Sequence, residues 1–301
     1  MKISAYIKLL RPHQYLKNAF ILSPLFFAFK FNDLHLLGRV GLVTLLFCFV
    51  ASAIYVLNDY FDIEADRNHP VKKDRPMASG AVPVSHGLIM MAVFAIVGCV
   101  GIYLISPAAF WLTVVYMVNN LLYSFRLKHI PILDITLLSV GFVLRLYIGS
   151  AAAAGEVPLS MWIVLITFLL ALFLALAKRR DDVLLSAEGK KVRKAIDGYN
   201  LEFINGAMMV MASVVIVSYI SYCISEEVTT RLKTENLYFT VIFVVLGILR
   251  YMQITFVEQK SGSPTKVLIR DLFLQLVILG WLISFAMLVP AAHELIFGWV
   301  G

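Results

Sequence analysis

The chain has 301 residues, of which 60% are apolar and 15% charged, with a formal net charge of +7. Soluble chains run at roughly 45–50% apolar and roughly 25% charged, so composition disfavours a water-soluble globule, a disordered tail and a soluble nucleic-acid-binding domain. The apolar runs are long and continuous rather than alternating, which points to an all-α polytopic membrane protein and excludes a membrane β-barrel.

A membrane span takes about 20 mostly apolar residues. Nine segments qualify: 16–31, 39–57, 87–105, 108–124, 132–153, 159–177, 204–224, 238–257 and 271–290. The first is the shortest and contains Pro24, so it is expected to be kinked or tilted. The first 20 residues carry Lys2, Lys8, Arg11 and Lys17 and have no apolar core of signal-peptide type. Cys48, Cys99 and Cys223 each stand alone in an apolar run, with neither metal-site nor disulfide spacing, and read as core residues.

Twenty of the 26 Lys and Arg residues fall in the N-terminus and in the loops 58–86, 125–131, 178–203 and 258–270. The opposite set of loops holds only Lys30, Arg39, Arg231 and Lys233. The positive-inside rule therefore puts the N-terminus and the long charged loops in the cytoplasm and the C-terminus outside. Residues 1–301 read as a single integral-membrane domain whose chemistry lies in two cytoplasmic loops, about 58–86 and 178–203.

The second span runs directly into Asn58-Asp59-Tyr60-Phe61-Asp62-Ile63-Glu64-Ala65-Asp66-Arg67. On a continuing helix, at about 100° per residue, Asp62 and Asp66 fall within roughly 60° of Asp59, while Glu64 points nearly opposite. Like charges so placed destabilise a helix, and Mg2+, which binds through one or two carboxylates plus substrate phosphates, is the natural compensation. A solvated acidic helix end is the competing explanation. The basic residues that follow, Arg67, Lys72, Lys73 and Arg75, suit a metal-bound diphosphate: acids for the metal, bases for the outer oxygens. No glycine-rich turn precedes a Lys-Ser/Thr pair, so this is not a Walker loop.

The second charged loop begins Lys178-Arg179-Arg180-Asp181-Asp182. Adjacent aspartates point about 100° apart on a helix and cannot easily face one metal. Three preceding cations suit a phosphate monoester, although a positive-inside anchor explains Arg180 as well. Lys190, Lys191, Arg193 and Lys194 read as surface charges. Within the fifth span, Arg145 lies about 16 Å beyond Asp134 along a helix, near the bilayer middle. There an unpaired Arg costs at least about 2.5–3.5 kcal/mol, so it is expected to face a polar cavity. A donor phosphate and a structural ion pair both remain open as its partner.

Asn-Asp-x-x-Asp-x-x-x-Asp at the cytoplasmic end of a second span resembles the UbiA-type intramembrane prenyltransferase superfamily. Further stretches are similar to one branch of it, the polyprenyl-phosphate (decaprenyl-phosphate) phosphoribosyltransferases. They are Arg11 to Asn18, Asn58 to Gly80, Ile130 to Asp134, Gly141 to Arg145, Ala175 to Arg180 and Ser263 to Asp271.

The resemblance implies a UbiA-like helical bundle with a cytoplasm-facing active-site cavity, in a bacterial inner membrane. It implies Mg2+-dependent transfer of 5-phosphoribosyl from phosphoribosyl diphosphate to a polyprenyl phosphate. Diphosphate is released, and the lipid-linked product serves cell-envelope glycan synthesis. Asp59, Asp62 and Asp66 would then hold magnesium, with Asp59, Asp62 and Arg145 catalytic. Lys17, Asn58, Lys72, Arg75, Tyr123, Lys128, Arg145, Lys178 and Arg179 would bind substrate. The implied partners are the two substrates and membrane lipid, with no nucleic acid; a homo-oligomer is left open. The second charged loop departs from the second aspartate-rich motif of the aromatic-prenylating relatives. Two alternatives remain: an aromatic polyprenyltransferase using a polyprenyl diphosphate donor, and a transporter of an anionic lipid or metabolite.

Overall fold

The computed structural model describes residues 3–68, 72–187 and 194–290, without the side chains of 194 and 195. The described residues form α-helices and short 3-10 helices with no strand. By packing they divide into two compact units, Met1–Lys128 with Val143–Leu159, and His129–Phe142 with Ser160–Gly301.

The first unit contains α1 (Ile3–Leu10), a 3-10 helix (Pro12–Ile21), α2 (Ser23–Phe27), α3 (Leu34–Phe61), α4 (Ile63–Arg67), α5 (Val84–Ile105) and α6 (Pro107–Phe125). It also takes the C-terminal part of α7 (Leu133–Ala152). Asp33 starts α3 by accepting from the backbone N–H of His35 and Leu36 at 3.0 and 3.1 Å, which satisfies donors that a helix start leaves orphaned. α3 is the core of this unit, burying Val43, Phe47, Val50, Ala51 and Ile54. It packs most extensively on α5, where a Cβ at Gly98 would stand 2.9 Å from the Leu46 carbonyl oxygen. Leu9, Val56, Met77 and Val82 form one buried cluster, which draws the segments bearing Arg11 and Arg75 against the end of α3.

The second unit contains α8 (Met161–Ala187), α9 (Leu201–Ile224), α10 (Glu226–Leu232), α11 (Val241–Phe256), α12 (Pro264–Arg270) and α13 (Leu272–Leu288). Its core joins Phe173, Leu176 and Ala177 of α8 to Ile204 and Met208 of α9 and to Tyr251 and Ile254 of α11.

Among the described residues, seven helical segments are long and apolar enough to cross a membrane, or eight if α12 and α13, bent by 83°, make one broken span. The difference from the nine expected lies first at 16–31. That segment is no continuous helix: it is divided between the 3-10 helix, which Arg11 precedes in the left-handed region, and α2, after which Phe29 is left-handed. Pro12 and Pro24 each lack the N–H that a helix interior requires, and each sits at the start of a new short element.

Candidate active site

The acidic motif straddles the junction of α3 and α4. Asp59 lies in the last turn of α3, Asp62 caps the junction, and Asp66 lies in α4. The backbone N–H groups of Asp62 and Asp66 donate to the carbonyls of Asn58 and Asp62 at 3.1 and 2.8 Å, so helical register carries across. Asp59 and Asp66 consequently converge. One nitrogen of Arg75 reaches Asp59 Oδ1 at 3.2 Å and Asp66 Oδ2 at 2.6 Å. Arg11 also donates to Asp59 Oδ1, with its guanidinium 5.4 Å from the centre of the Tyr55 ring. Asp62 turns instead to Lys128, at 2.7 Å. Glu64 is exposed, as the helical wheel required. Asn58 accepts from the Ser124 hydroxyl. Lys17, Lys72 and Tyr123 are half-buried in the same unit.

Among the described residues, no three acidic, histidine or cysteine side chains are gathered as a ready metal cage. The donor set still fits magnesium. That ion needs only one or two carboxylates when phosphates complete its shell, and Asp59 and Asp66 meet on one guanidinium nitrogen. Asp59 Oδ2, moreover, is buried with no hydrogen-bond partner, and an orphaned carboxylate oxygen is what an incoming cation would satisfy.

Arg145 is 5% exposed. Its Nε donates to Asn18 Oδ1 at 3.1 Å and its Nη2 to the Tyr116 hydroxyl at 2.9 Å. The guanidinium also lies over the Phe47 and Tyr116 rings. It thus faces a polar and aromatic lining, as an intramembrane arginine must.

In the second unit the three consecutive cations separate. Lys178 is exposed, while Arg179 and Arg180 are buried. Arg179 donates to Asp134 Oδ2 at 2.6 Å and to Asp182 Oδ2 at 2.5 Å. Asp134 also accepts from the Tyr199 hydroxyl at 2.7 Å, whose oxygen accepts in turn from the Ile132 N–H at 2.7 Å. Burial and the bond to Asp134 push the Tyr199 phenol well above its ordinary pKa, so it remains a donor. Arg180 is held by Asn205 and the Thr255 carbonyl at 3.0 and 2.7 Å. Asp181 accepts from Ser261 at 2.8 Å while Asp182 pairs with Arg179, so the adjacent aspartates do point apart. Arg250 pairs with Asp271 and Glu258 at 2.6 and 2.8 Å. Lys190, Lys191 and Arg193, and the side chain of Lys194, lie outside the described residues.

Two features escape the sequence pattern. Arg11 precedes the first apolar run; its place before Pro12 and at the head of the stretch Arg11 to Asn18 marks it, but neither says that it returns to the acidic motif. Tyr199 follows a segment with no periodicity at all.

A model described as the UbiA prenyltransferase family matches residues 20–277. The decaprenyl-phosphate phosphoribosyltransferase of Mycolicibacterium smegmatis is 30% identical over 93% of this chain and 91% of its own. That of Corynebacterium glutamicum is 33% identical over 94% and 86%. Among solved structures, a UbiA homolog from Archaeoglobus fulgidus bound to GPP and Mg2+ matches with a TM-score of 0.63 and 19% identity, over 97% of this chain and 99% of that one. An apo UbiA homolog from Aeropyrum pernix K1 matches with a TM-score of 0.65 and 14% identity, over 90% and 97%. The structural likeness shows the fold, and the family match, spanning most of the chain together with its acidic motif, shows membership: the chain belongs to the UbiA prenyltransferase family.

Proposed function

We propose that this protein transfers 5-phosphoribosyl from phosphoribosyl diphosphate to a polyprenyl phosphate of decaprenyl type, releasing diphosphate. The observation that carries this is the similarity, over more than nine-tenths of the chain, to decaprenyl-phosphate phosphoribosyltransferases. The cluster of acids and cations at the α3–α4 junction supports it, since a diphosphate donor needs both.

In this mechanism Asp59 and Asp66, with Asp62 beside them, would hold Mg2+ against the donor. The bound ion would neutralise charge on the departing diphosphate. Lys72, Arg75 and Lys128 would balance the outer phosphate oxygens, and Asn58 would order the end of α3 around them. The bond from the anomeric carbon to diphosphate breaks as one forms to an acceptor phosphate oxygen, which inverts that carbon. The acceptor is already anionic at neutral pH, so no general base is required, and the work of the residues is positioning and electrostatics. Lys178, exposed at the cytoplasmic end assigned to α8, is the cation proposed for the acceptor phosphate; Arg179 acts behind it through Asp134 and Asp182. Arg145, Lys17 and Tyr123 are proposed to line the polar route to the donor. The charge asymmetry of the loops supports a cytoplasm-facing site, with the N-terminus inside.

The test is incubation of purified protein with Mg2+, radiolabelled phosphoribosyl diphosphate and a polyprenyl phosphate, followed by extraction into organic solvent. Label is expected in the lipid phase. Consumption of a prenyl diphosphate with no ribose entering that phase would replace this proposal with aromatic prenylation.

A further inference from the structure

Asp59 is asymmetric in a way its ion pairs do not relieve. Oδ1 accepts from both Arg11 and Arg75, the latter at 3.2 Å, while Oδ2 is buried without a hydrogen-bond partner. A buried carboxylate oxygen left bare is costly, and a second guanidinium on the other oxygen does nothing for it. The Asp59 side chain is 2% exposed, whereas those of Arg11 and Arg75 are 22% and 26% exposed. Solvent therefore reaches the two cations and not the carboxylate between them. The backbone around Arg11 is fixed: Ser52 on α3 donates to the Leu10 carbonyl at 3.0 Å and bonds the Tyr15 hydroxyl at 2.7 Å. The Arg11 guanidinium can leave Asp59 only by rotation of its own side chain, and the Tyr55 ring lies beside it.

From this arrangement we propose that Arg11, together with Arg75, is an exchangeable counter-ion and a donor-binding residue. With no metal bound it neutralises Asp59. When metal and diphosphate arrive, it yields the carboxylate to the metal and turns its guanidinium to the diphosphate oxygens, whose geometry its planar fork matches. The inference deepens the function proposed above and rests on its diphosphate donor. Its electrostatics have a definite sign. A positive charge on Asp59 competes with a divalent cation for that carboxylate, and the same charge attracts diphosphate once the cation is in place. Arg11 therefore weakens metal binding alone and strengthens diphosphate binding.

The test uses the full-length protein in detergent. Mn2+ binding without diphosphate is followed by electron paramagnetic resonance, and binding of inorganic diphosphate at saturating Mn2+ by calorimetry. Arg11→Gln is expected to bind Mn2+ more tightly and diphosphate more weakly, each by about tenfold, the scale of one charge-assisted contact. Arg11→Lys, which keeps the charge, should bind Mn2+ less tightly than Arg11→Gln. Affinities that fall together, or that do not move, would make Arg11 a structural strut and overturn the proposal. Arg75→Gln releases the other cation from the same oxygen, carries the same expectation, and stands in if Arg11→Gln does not fold. Inorganic diphosphate is common to phosphoribosyl and prenyl donors. Opposite shifts would thus hold even if the lipid-labelling assay failed, and the two failures are told apart.

Discussion

Arg179 donates from Nε to Oδ2 of Asp134 at 2.6 Å, and the two residues are 1% and 0% exposed. A guanidinium so enclosed, and paired with Asp182 as well, cannot also wrap an acceptor phosphate without leaving a buried carboxylate alone. Removing one partner of a buried pair costs about 3–5 kcal/mol. Arg179→Gln should therefore lower the thermal midpoint sharply. Lys178→Gln should keep the midpoint and raise the apparent Michaelis constant for polyprenyl phosphate by about tenfold, as for one lost charge-assisted contact. A stable Arg179→Gln protein with an acceptor-specific defect would return Arg179 to the phosphate.

The acidic motif offers a comparison within about two turns of chain. Asp59→Asn and Asp66→Asn should remove nearly all transfer, because these two carboxylates meet on one nitrogen of Arg75. Asp62→Asn should be severe through its link to Lys128. Glu64→Gln, on the exposed side, should keep most activity and its thermal midpoint. Equal damage at Glu64 would show that the facing of the carboxylates is not what matters.

Metal removal is the third check. EDTA should stop label entering lipid, and added Mg2+ should restore it. Without any turnover, Mg2+ with inorganic diphosphate should raise the thermal midpoint of the parent protein, since a ligand that binds only the folded state stabilises it. The rise should vanish in Asp59→Asn. Full transfer in EDTA would take the metal out of the reaction.

The helical wheel anticipated much of the acidic site, because helical register does run through the α3–α4 junction and keeps Asp59 and Asp66 on one side. It could not anticipate that Asp62 would turn to Lys128, a pairing set by a residue distant in sequence. Periodicity says nothing about which of Lys178, Arg179 and Arg180 enters the core; the buried Asp134 and the half-buried Asn205 decide that, and both lie on other segments. Arg11 was hidden for a similar reason, since nothing local says that a residue ahead of the first apolar run returns to the end of α3. The opposite error occurred at 16–31. Apolar content alone suggested a span, but Pro24 opens a new short helix within it and Phe29 is left-handed, so it is broken into short pieces.

That divided segment supplies the last prediction. The 3-10 helix carries Asn18, a partner of Arg145, and ends at Ile21, whose carbonyl oxygen would stand 1.9 Å from a Cβ at Gly149 on α7. A backbone carbonyl cannot swing aside like the tip of a flexible side chain, so Gly149→Ala must push the 3-10 helix away from α7. Overpacking of this kind costs about 1–3 kcal/mol. The variant should show a lower thermal midpoint, and its transfer activity should fall as the Asn18–Arg145 contact is disturbed. Gly206 on α9 is the control, because a Cβ there meets nothing within 4 Å. Gly206→Ala should be neutral or stabilising by about 0.5–1 kcal/mol, since it removes backbone freedom from the unfolded chain. Thermal unfolding of the two variants beside the parent decides the matter: if Gly149→Ala is as stable as Gly206→Ala, the close approach of Ile21 to α7 is wrong, and with it the placement of Asn18 against Arg145.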